Sequence, residues 1–77
     1  MSPKLPVISS RELLRALKKA GFMIDRQEGR HLSLIHPQYP QLTVTVPMHN
    51  RDLKKGTLRH ILKQANLTVD ELVFYLK

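Results

Sequence analysis

Histidine is the side chain of this sequence best suited to moving a proton near neutral pH, and the chain contains four. His31 follows a predicted tight turn at Glu28-Gly29 and stands beside Arg30 at the start of a predicted strand. Cleavage of RNA needs a base for the 2′-hydroxyl proton, an acid for the leaving oxygen and cations on the phosphate. His31 is therefore a candidate acid/base next to a candidate phosphate-binding cation, although a strand histidine is more often an ordinary surface residue.

The other three histidines have weaker cases for chemistry. His36 is expected to share the strand face of Leu32 and Leu34, which favours a structural role. His49 lies in a polar loop from which it could reach a nucleotide, and His60 lies on the basic side of a helix, where it adds positive surface. No pair of histidines has metal-ligand spacing and the six carboxylates are scattered, so no metal site is predicted.

A phosphate-binding segment is predicted at Lys54-Lys55-Gly56-Thr57, where a helix begins. The free N–H groups and the dipole at a helix N-terminus favour an anion, and Gly56 allows the backbone to approach it closely. Lysines are unfavourable at this end of a helix, so a bound phosphate would relieve their repulsion. Arg59 extends the same basic surface. The simpler alternative is that both lysines are only solvated.

The elements that position these residues begin with a helix. Ser9 and Glu12 form a capping box that predicts its start, and Gly21 predicts its end. The apolar residues at helical spacing, which mark the buried side, are Leu13, Ala16, Leu17 and Ala20.

Three strands are predicted over residues 22–27, 30–36 and 42–46, with a proline-containing turn over residues 37–40 and Pro47 as the final stop. In the first strand, Phe22 and Ile24 are expected to share one face. In the second, Leu32 and Leu34 point one way, so His31 lies on the opposite, open face of the sheet.

Two helices follow the strands. The second helix of the chain begins within residues 53–57 and is capped by Asn66, and a short third helix opens with a capping box of Thr68 and Glu71. The fold class is therefore α+β, in the order α-β-β-β-α with a short extra C-terminal helix and a three-stranded antiparallel sheet. Double-stranded-RNA-binding domains share this layout and grip RNA through its backbone and 2′-hydroxyl groups.

Composition limits the classes of partner. The 77 residues carry 13 Lys and Arg against 6 Asp and Glu, a net charge of +7, which favours nucleic acid first, an acidic protein second and a membrane surface third. A merely soluble basic protein is the remaining alternative. Phe22 and Phe74 are expected in the core, which leaves few rings for stacking bases.

Location and domain number follow from the same data. The chain has no cysteine and no run of about eighteen apolar residues that could span a membrane. The segment Met1-Ser2-Pro3-Lys4-Leu5-Pro6 lacks the apolar run of a signal peptide, so a cytoplasmic location is expected. Residues 1–77 are expected to form one domain.

From Lys4-Leu5-Pro6 onward, the chain contains several short segments that are each common alone but that, in this order and spacing, are specific to one family. They are Leu17-Lys18-Lys19-Ala20-Gly21-Phe22, Arg26-Gln27-Glu28-Gly29-Arg30-His31, His36-Pro37, Thr43-Val44-Thr45-Val46-Pro47-Met48-His49, and Leu53-Lys54-Lys55-Gly56-Thr57-Leu58-Arg59-His60-Ile61-Leu62-Lys63-Gln64-Ala65. In these segments the chain resembles the HicA toxins, the small mRNA interferases of HicA–HicB toxin–antitoxin pairs.

The resemblance implies an endoribonuclease that cleaves mRNA without a metal or cofactor and is inhibited by a HicB-like antitoxin protein covering its catalytic histidine. That histidine lies in a Gly-Ser-His stretch of the family and falls on His31 here. The serine of the stretch is Arg30 in this sequence. Arginine at this position could hold phosphate more strongly, or it could crowd the site and weaken cutting.

Three hypotheses remain open on the sequence. The first is a metal-independent endoribonuclease toxin in which His31 is the acid/base and Lys54, Lys55, Arg30 and Arg59 hold phosphates. The second is a non-catalytic RNA-binding module in which Arg30 marks a decayed active site. The third is a protein whose remaining role is to bind an antitoxin that acts on DNA.

Overall fold

The computed structural model describes residues 4–77. Its elements are α1 (Ser10–Lys19), β1 (Met23–Glu28), β2 (His31–His36), β3 (Tyr39–Pro47), α2 (Lys55–Ala65) and α3 (Val69–Leu76). This order and the three-stranded antiparallel sheet confirm the predicted α+β class. Residues 1–3 of the predicted domain, which begin the segment Met1-Ser2-Pro3-Lys4-Leu5-Pro6, lie outside the described residues. None of the helices in the described part is both long enough and apolar enough to cross a membrane.

Both ends of α1 are fixed by hydrogen bonds that the sequence predicts. The Ser9 hydroxyl accepts from the Glu12 N–H at 3.2 Å, and the Glu12 carboxylate accepts from the Ser9 N–H at 3.0 Å, which confirms the capping box. At the other end Gly21 has φ +104°, and the Phe22 N–H donates to the Leu17 carbonyl at 3.0 Å. This Schellman-type ending turns Phe22 back onto the helix. Phe22 is buried there and does not belong to β1 as predicted.

The core lies between one face of the sheet and the helices. β2 is the central strand, and its Leu32 and Leu34 stand opposite Val46 and Val44 of β3. All four side chains are buried, as the predicted alternation of β2 requires. The helical residues buried with them are Leu13, Ala16 and Leu17 of α1, Leu58, Ile61, Leu62 and Ala65 of α2, and Leu72 of α3.

β1 is an edge strand whose six residues are all exposed. Its pairing with β2 shifts at Asp25, because Ile24 stands opposite Leu34 whereas Arg26 stands opposite Ser33. Such a bulge breaks the strict alternation of a strand. The prediction that Phe22 and Ile24 share one strand face is wrong, because Phe22 lies before β1 and is buried, whereas Ile24 lies on the edge strand and is 45% exposed.

The turn between β2 and β3 is shorter than predicted. Only Pro37 and Gln38 lie outside the strands, and Tyr39 and Pro40 already belong to β3, with Tyr39 opposite His36. The prediction that residues 37–40 all form a turn is thus wrong for Tyr39 and Pro40. β3 is an edge strand, and edge strands tolerate proline.

The C-terminal helices agree with the prediction except at one aromatic residue. Asn66 caps α2 in the left-handed conformation, with φ 56°, and Thr68 forms the predicted capping box with Glu71. α3 packs against α1 through Leu72, which is fully buried. Phe74, which is expected in the core, is 68% exposed. Residues two apart on a helix point in nearly opposite directions, so α3 cannot bury both side chains against α1.

Candidate functional site

His31 stands where the β1–β2 turn meets the open face of the sheet. It is the first residue of β2 and is exposed, on the face opposite the buried Leu32. Its neighbours across the strands are Glu28 of β1 and Pro47 of β3. The structure therefore places His31 on the face that the sequence predicts, with its imidazole accessible from solvent.

Arg30 lies in the turn, one residue before β2, and not within the strand as predicted. Its side chain is exposed, while its carbonyl oxygen accepts a hydrogen bond from the Met48 N–H at 2.6 Å. Since Met48 directly follows β3, this bond fastens the turn to the segment that leads toward α2. Arg30 and His31 are thus held beside the loop of residues 48–54.

A buried serine holds this loop against α1. Ser10 is 0% exposed, and its hydroxyl donates to the Pro47 carbonyl at 2.7 Å. The Ser10 hydroxyl oxygen also accepts a weak hydrogen bond from the His49 N–H at 3.5 Å. Sequence reasoning missed Ser10, because its neighbour Ser9 already accounts for the helix cap and no periodic pattern marks a single buried hydroxyl.

The loop also pairs with the segment that precedes α1. The Leu53 N–H donates to the Ile8 carbonyl at 2.9 Å, and Ser9 and Asp52 form an isolated antiparallel bridge. Because both chain segments are fixed to each other, the loop reaches α2 along a defined path.

His49 shares a cleft with one of the predicted phosphate-binding lysines. The residues that line this cleft are Pro47, His49, Arg51, Asp52, Lys54 and Thr57. Pro47 stands directly opposite His31 in the sheet, so the cleft begins next to the candidate acid/base. His49 is partly buried, and its Nδ1 accepts from the Arg51 N–H at 3.2 Å, which leaves Nε2 available to another group.

The N-terminus of α2 has the properties expected of an anion site. Lys54 is the N-cap residue, its side chain caps nothing, and the first turn contains no acidic residue. Gly56 is exposed, and a Cβ placed on it would meet no atom within 4 Å. No packing contact therefore requires a glycine at this position.

The predicted cations do not all converge on the cleft. Lys54 lines it, whereas Lys55 and Arg59 do not. Those two residues are exposed and four positions apart on α2, so they form a separate ridge along the helix. Arg30 lies in the β1–β2 turn and does not line the cleft.

The remaining histidines lie elsewhere. The His36 ring makes an edge contact with Phe22, with centroids 5.1 Å apart, and a tilted contact with Tyr39 at 5.0 Å. This packing, at the end of β2 opposite to His31, agrees with the predicted structural role of His36. His60 is exposed on α2, as predicted.

Few carboxylates offset the positive charge. Within residues 4–77, Arg26 and Glu28 form an ion pair at 3.2 Å, and both of their side chains are exposed. The Ser9 N–H and hydroxyl lower the pKa of Glu12, and the charge of Arg15 lowers it further. No group of three or more histidine or acidic side chains in the described range could hold a metal ion.

The element order and the sheet define a small basic α+β domain with the layout of a double-stranded-RNA-binding domain. The model of a family described as "HicA toxin of bacterial toxin-antitoxin" matches residues 10–67, and the chain belongs to this HicA toxin family. The match runs from the first residue of α1 to the residue before the Thr68 cap, so α3 lies beyond it. No curated protein matches the chain significantly.

Proposed function

We propose that this HicA-family toxin is a metal-independent endoribonuclease, that it cleaves mRNA, and that residues 1–77 form its single RNA-cleaving domain. Membership of the family supports the toxin role. The observation that carries the nuclease proposal is the position of His31. It is exposed beside Arg30 and directly opposite Pro47, at the edge of a cleft that contains His49 and Lys54.

The proposed reaction is a transesterification within the RNA. Neutral His31 takes the proton of a 2′-hydroxyl, and the 2′-oxygen forms a bond to the adjacent phosphorus while the bond to the 5′-oxygen breaks. A second group gives a proton to that leaving oxygen, so the products are a 2′,3′-cyclic phosphate and a 5′-hydroxyl. Each such proton transfer is typically worth about 10²–10⁴-fold in rate. The reaction consumes no cofactor.

We assign the second proton transfer to His49. The His49 N–H donates to the Ser10 hydroxyl, which donates to the carbonyl of Pro47, the residue opposite His31 in the sheet. These bonds limit the motion of the loop that carries His49. To act as the acid, His49 gives the Nε2 proton of its imidazolium form to the leaving oxygen. Nδ1 keeps its own proton in that form, so its hydrogen bond from the Arg51 N–H must open during the reaction.

Cations around the two histidines supply charge to the phosphates. Arg30 adjoins His31, and Lys54 lines the cleft with His49. Lys55, Gly56 and Arg59 extend this surface along α2, where free backbone N–H groups add to the attraction. Preorganised charge of this kind stabilises the phosphorane-like transition state most strongly when water is partly excluded.

The proposed partner is a HicB-like antitoxin that covers His31. A toxin surface with a net charge of +7 would attract an acidic partner and orient it on approach. Because the proposed substrate is mRNA under translation, the proposed site of action is the cytoplasm.

Inducible expression in bacteria tests this function. Wild type should arrest growth and shorten cellular mRNA, whereas His31→Ala should do neither at equal protein level. His60→Ala is the matched control, because His60 is exposed but lies on α2 outside the site, and it should remain toxic. Equal toxicity of wild type and His31→Ala would refute the role of His31. Mere RNA binding by a non-toxic wild type would favour the decayed-site hypothesis for Arg30.

A further inference from the structure

The solvent side of α1 carries a groove that the site described above does not use. It is lined by Arg11, Leu14, Arg15 and Met48, and is called the α1 groove below. Arg11 and Arg15 are exposed, whereas Leu14 and Met48 are partly buried and pack on the core. The groove thus has an apolar floor and two guanidinium groups.

The α1 groove is continuous with the candidate active site. Met48, on its floor, donates its N–H to the carbonyl of Arg30, the residue before His31. Arg11 follows Ser10, whose hydroxyl is bonded to the Pro47 carbonyl opposite His31. A strand that continues from His31 past Arg30 therefore reaches Met48 and the α1 groove.

The two arginines form no ion pair within 4 Å among the described residues. They are four positions apart on α1, so they project from the same side of the helix about 6 Å apart along its axis. Glu12 offsets part of the charge of Arg15, but its carboxylate is held by the Ser9 N–H. Like charges at this spacing destabilise a helix, and an anion between the two arginines would remove the remaining repulsion. Successive phosphates of an RNA strand are spaced closely enough for one to reach each guanidinium group.

We propose that the α1 groove binds the single RNA strand that continues from the scissile phosphate. Arg11 and Arg15 hold two phosphates of this strand, and Leu14 with Met48 contact its sugars and bases. The inference rests on the proposed function in that it takes RNA as the ligand. A single strand fits better than a duplex because one helix side and one loop residue form the whole groove. Arginine suits this role because its planar fork matches phosphate oxygens.

Two double variants of the full chain test the proposal. Arg11→Gln with Arg15→Gln removes the two groove cations. Lys63→Gln with Lys77→Gln removes the same charge from exposed positions outside the groove and the site. The first probe is a fluorescein-labelled RNA of about twelve nucleotides with 2′-O-methyl groups, which keeps its phosphates but lacks the attacking hydroxyl. Its binding is measured by anisotropy between 0.1 and 1 M salt.

Loss of two single-strand phosphate contacts should lower the slope of log affinity against log salt by about 1.4. If affinities converge at 1 M, the groove variant should bind about 25-fold more weakly than wild type at 0.1 M. The control variant should lose far less. Cleavage of an RNA dinucleotide should stay within about twofold of wild type, because its one phosphate is the scissile phosphate and none is left to contact the groove.

Two results would overturn the proposal. One is RNA binding by the groove variant equal to that of wild type, which would leave the groove to an acidic protein partner. The other is an equal loss in both double variants, which would show only the effect of net charge. Failure of the proposed nuclease is separately visible, because anisotropy does not depend on cleavage. Groove-dependent binding by a wild type that cuts no RNA would support the groove and refute the nuclease.

Discussion

Replacing Gly21 by alanine is a sharp test of how α1 is joined to the sheet. Gly21 has φ +104°, a conformation that residues with a Cβ rarely adopt. A Cβ at this position would lie 2.6 Å from Nε2 of His36, closer than real Cβ atoms approach another group. The alanine variant therefore meets two independent penalties, one in the backbone and one in packing.

The size of the effect follows from these penalties. A residue held in such a backbone region costs about 1–3 kcal/mol. Displacing His36 also weakens its edge contact with Phe22, an interaction worth about 0.5–1.5 kcal/mol. We expect a loss of about 2–4 kcal/mol in the free energy of unfolding, from a total of about 4–12 kcal/mol for a chain of this length. The melting temperature should fall by about 10–30 °C.

Urea and thermal denaturation of three glycine variants provide the assay. Gly29→Ala has a positive φ of +59° but no neighbour within 4 Å, so it should cost about 1–2 kcal/mol. Gly56→Ala lies in a helix with open space around it and should stabilise the fold by up to about 1 kcal/mol. In a His36→Ala background, the cost of Gly21→Ala should fall by about 1 kcal/mol. A Gly21→Ala cost no larger than that of Gly29→Ala would show that the His36 ring does not resist a Cβ at residue 21.

Three further predictions concern other contacts. Ser10→Ala should lower the free energy of unfolding by about 1–3 kcal/mol in a urea titration, because the buried hydroxyl no longer donates to the Pro47 carbonyl. Ser9→Ala should cost only about 0.5–2 kcal/mol and leave the loop of His49 in place, so RNA cleavage should fall further in Ser10→Ala than in Ser9→Ala, and equal losses of cleavage would contradict the role of Ser10. Leu72→Ala should cost about 2–5 kcal/mol and Phe74→Ala less than about 0.5 kcal/mol in thermal unfolding, and the reverse order would contradict the packing of α3. The pKa of Glu12 is lowered from 4.5 in the folded state by its hydrogen bonds with Ser9, so its stabilising effect is complete above 4.5 and is lost as the pH falls through the lowered folded pKa. The stability difference between wild type and Glu12→Gln should therefore shrink as the pH falls below 4.5, and a difference that grows there would be inconsistent with the Ser9 hydrogen bonds.

Local signals in the sequence predict the ends of the helices well. Ser9 with Glu12 and Thr68 with Glu71 form their capping boxes within four residues of chain, so no tertiary contact is needed to recognise them. Asn66 likewise adopts the predicted left-handed cap. The inward direction of the β2 leucines also follows from simple alternation, because that strand is regular until its last residue.

The failures arise where partners distant in sequence decide the outcome. The bulge at Asp25 and the exposure of Ile24 depend on which strand lies at the edge of the sheet, and alternation cannot reveal that. Pro40 joins β3 because an edge strand can accept it. Phe74 is exposed because α3 has only one side against α1, and residue type alone favours burial.

The candidate site also has a part that the sequence predicts and a part that it does not. Its residue types, above all His31 and the lysines before α2, can be selected from the sequence. The cleft that His49 shares with Lys54 is lined by residues within 47–57, but its anchor is the bond from the Ser10 hydroxyl to the Pro47 carbonyl, 37 residues away in the chain, which no local pattern encodes.

Incubation of a long mRNA with purified protein in excess chelator tests whether the protein is a metal-independent nuclease that depends on His31. Wild type and a folded His60→Ala variant should both cut the RNA and leave 2′,3′-cyclic phosphate and 5′-hydroxyl ends. His31→Ala, which removes an exposed side chain and should keep its fold, should leave the RNA intact. Equal cutting by wild type and His31→Ala, or cutting that requires added metal, would contradict the account.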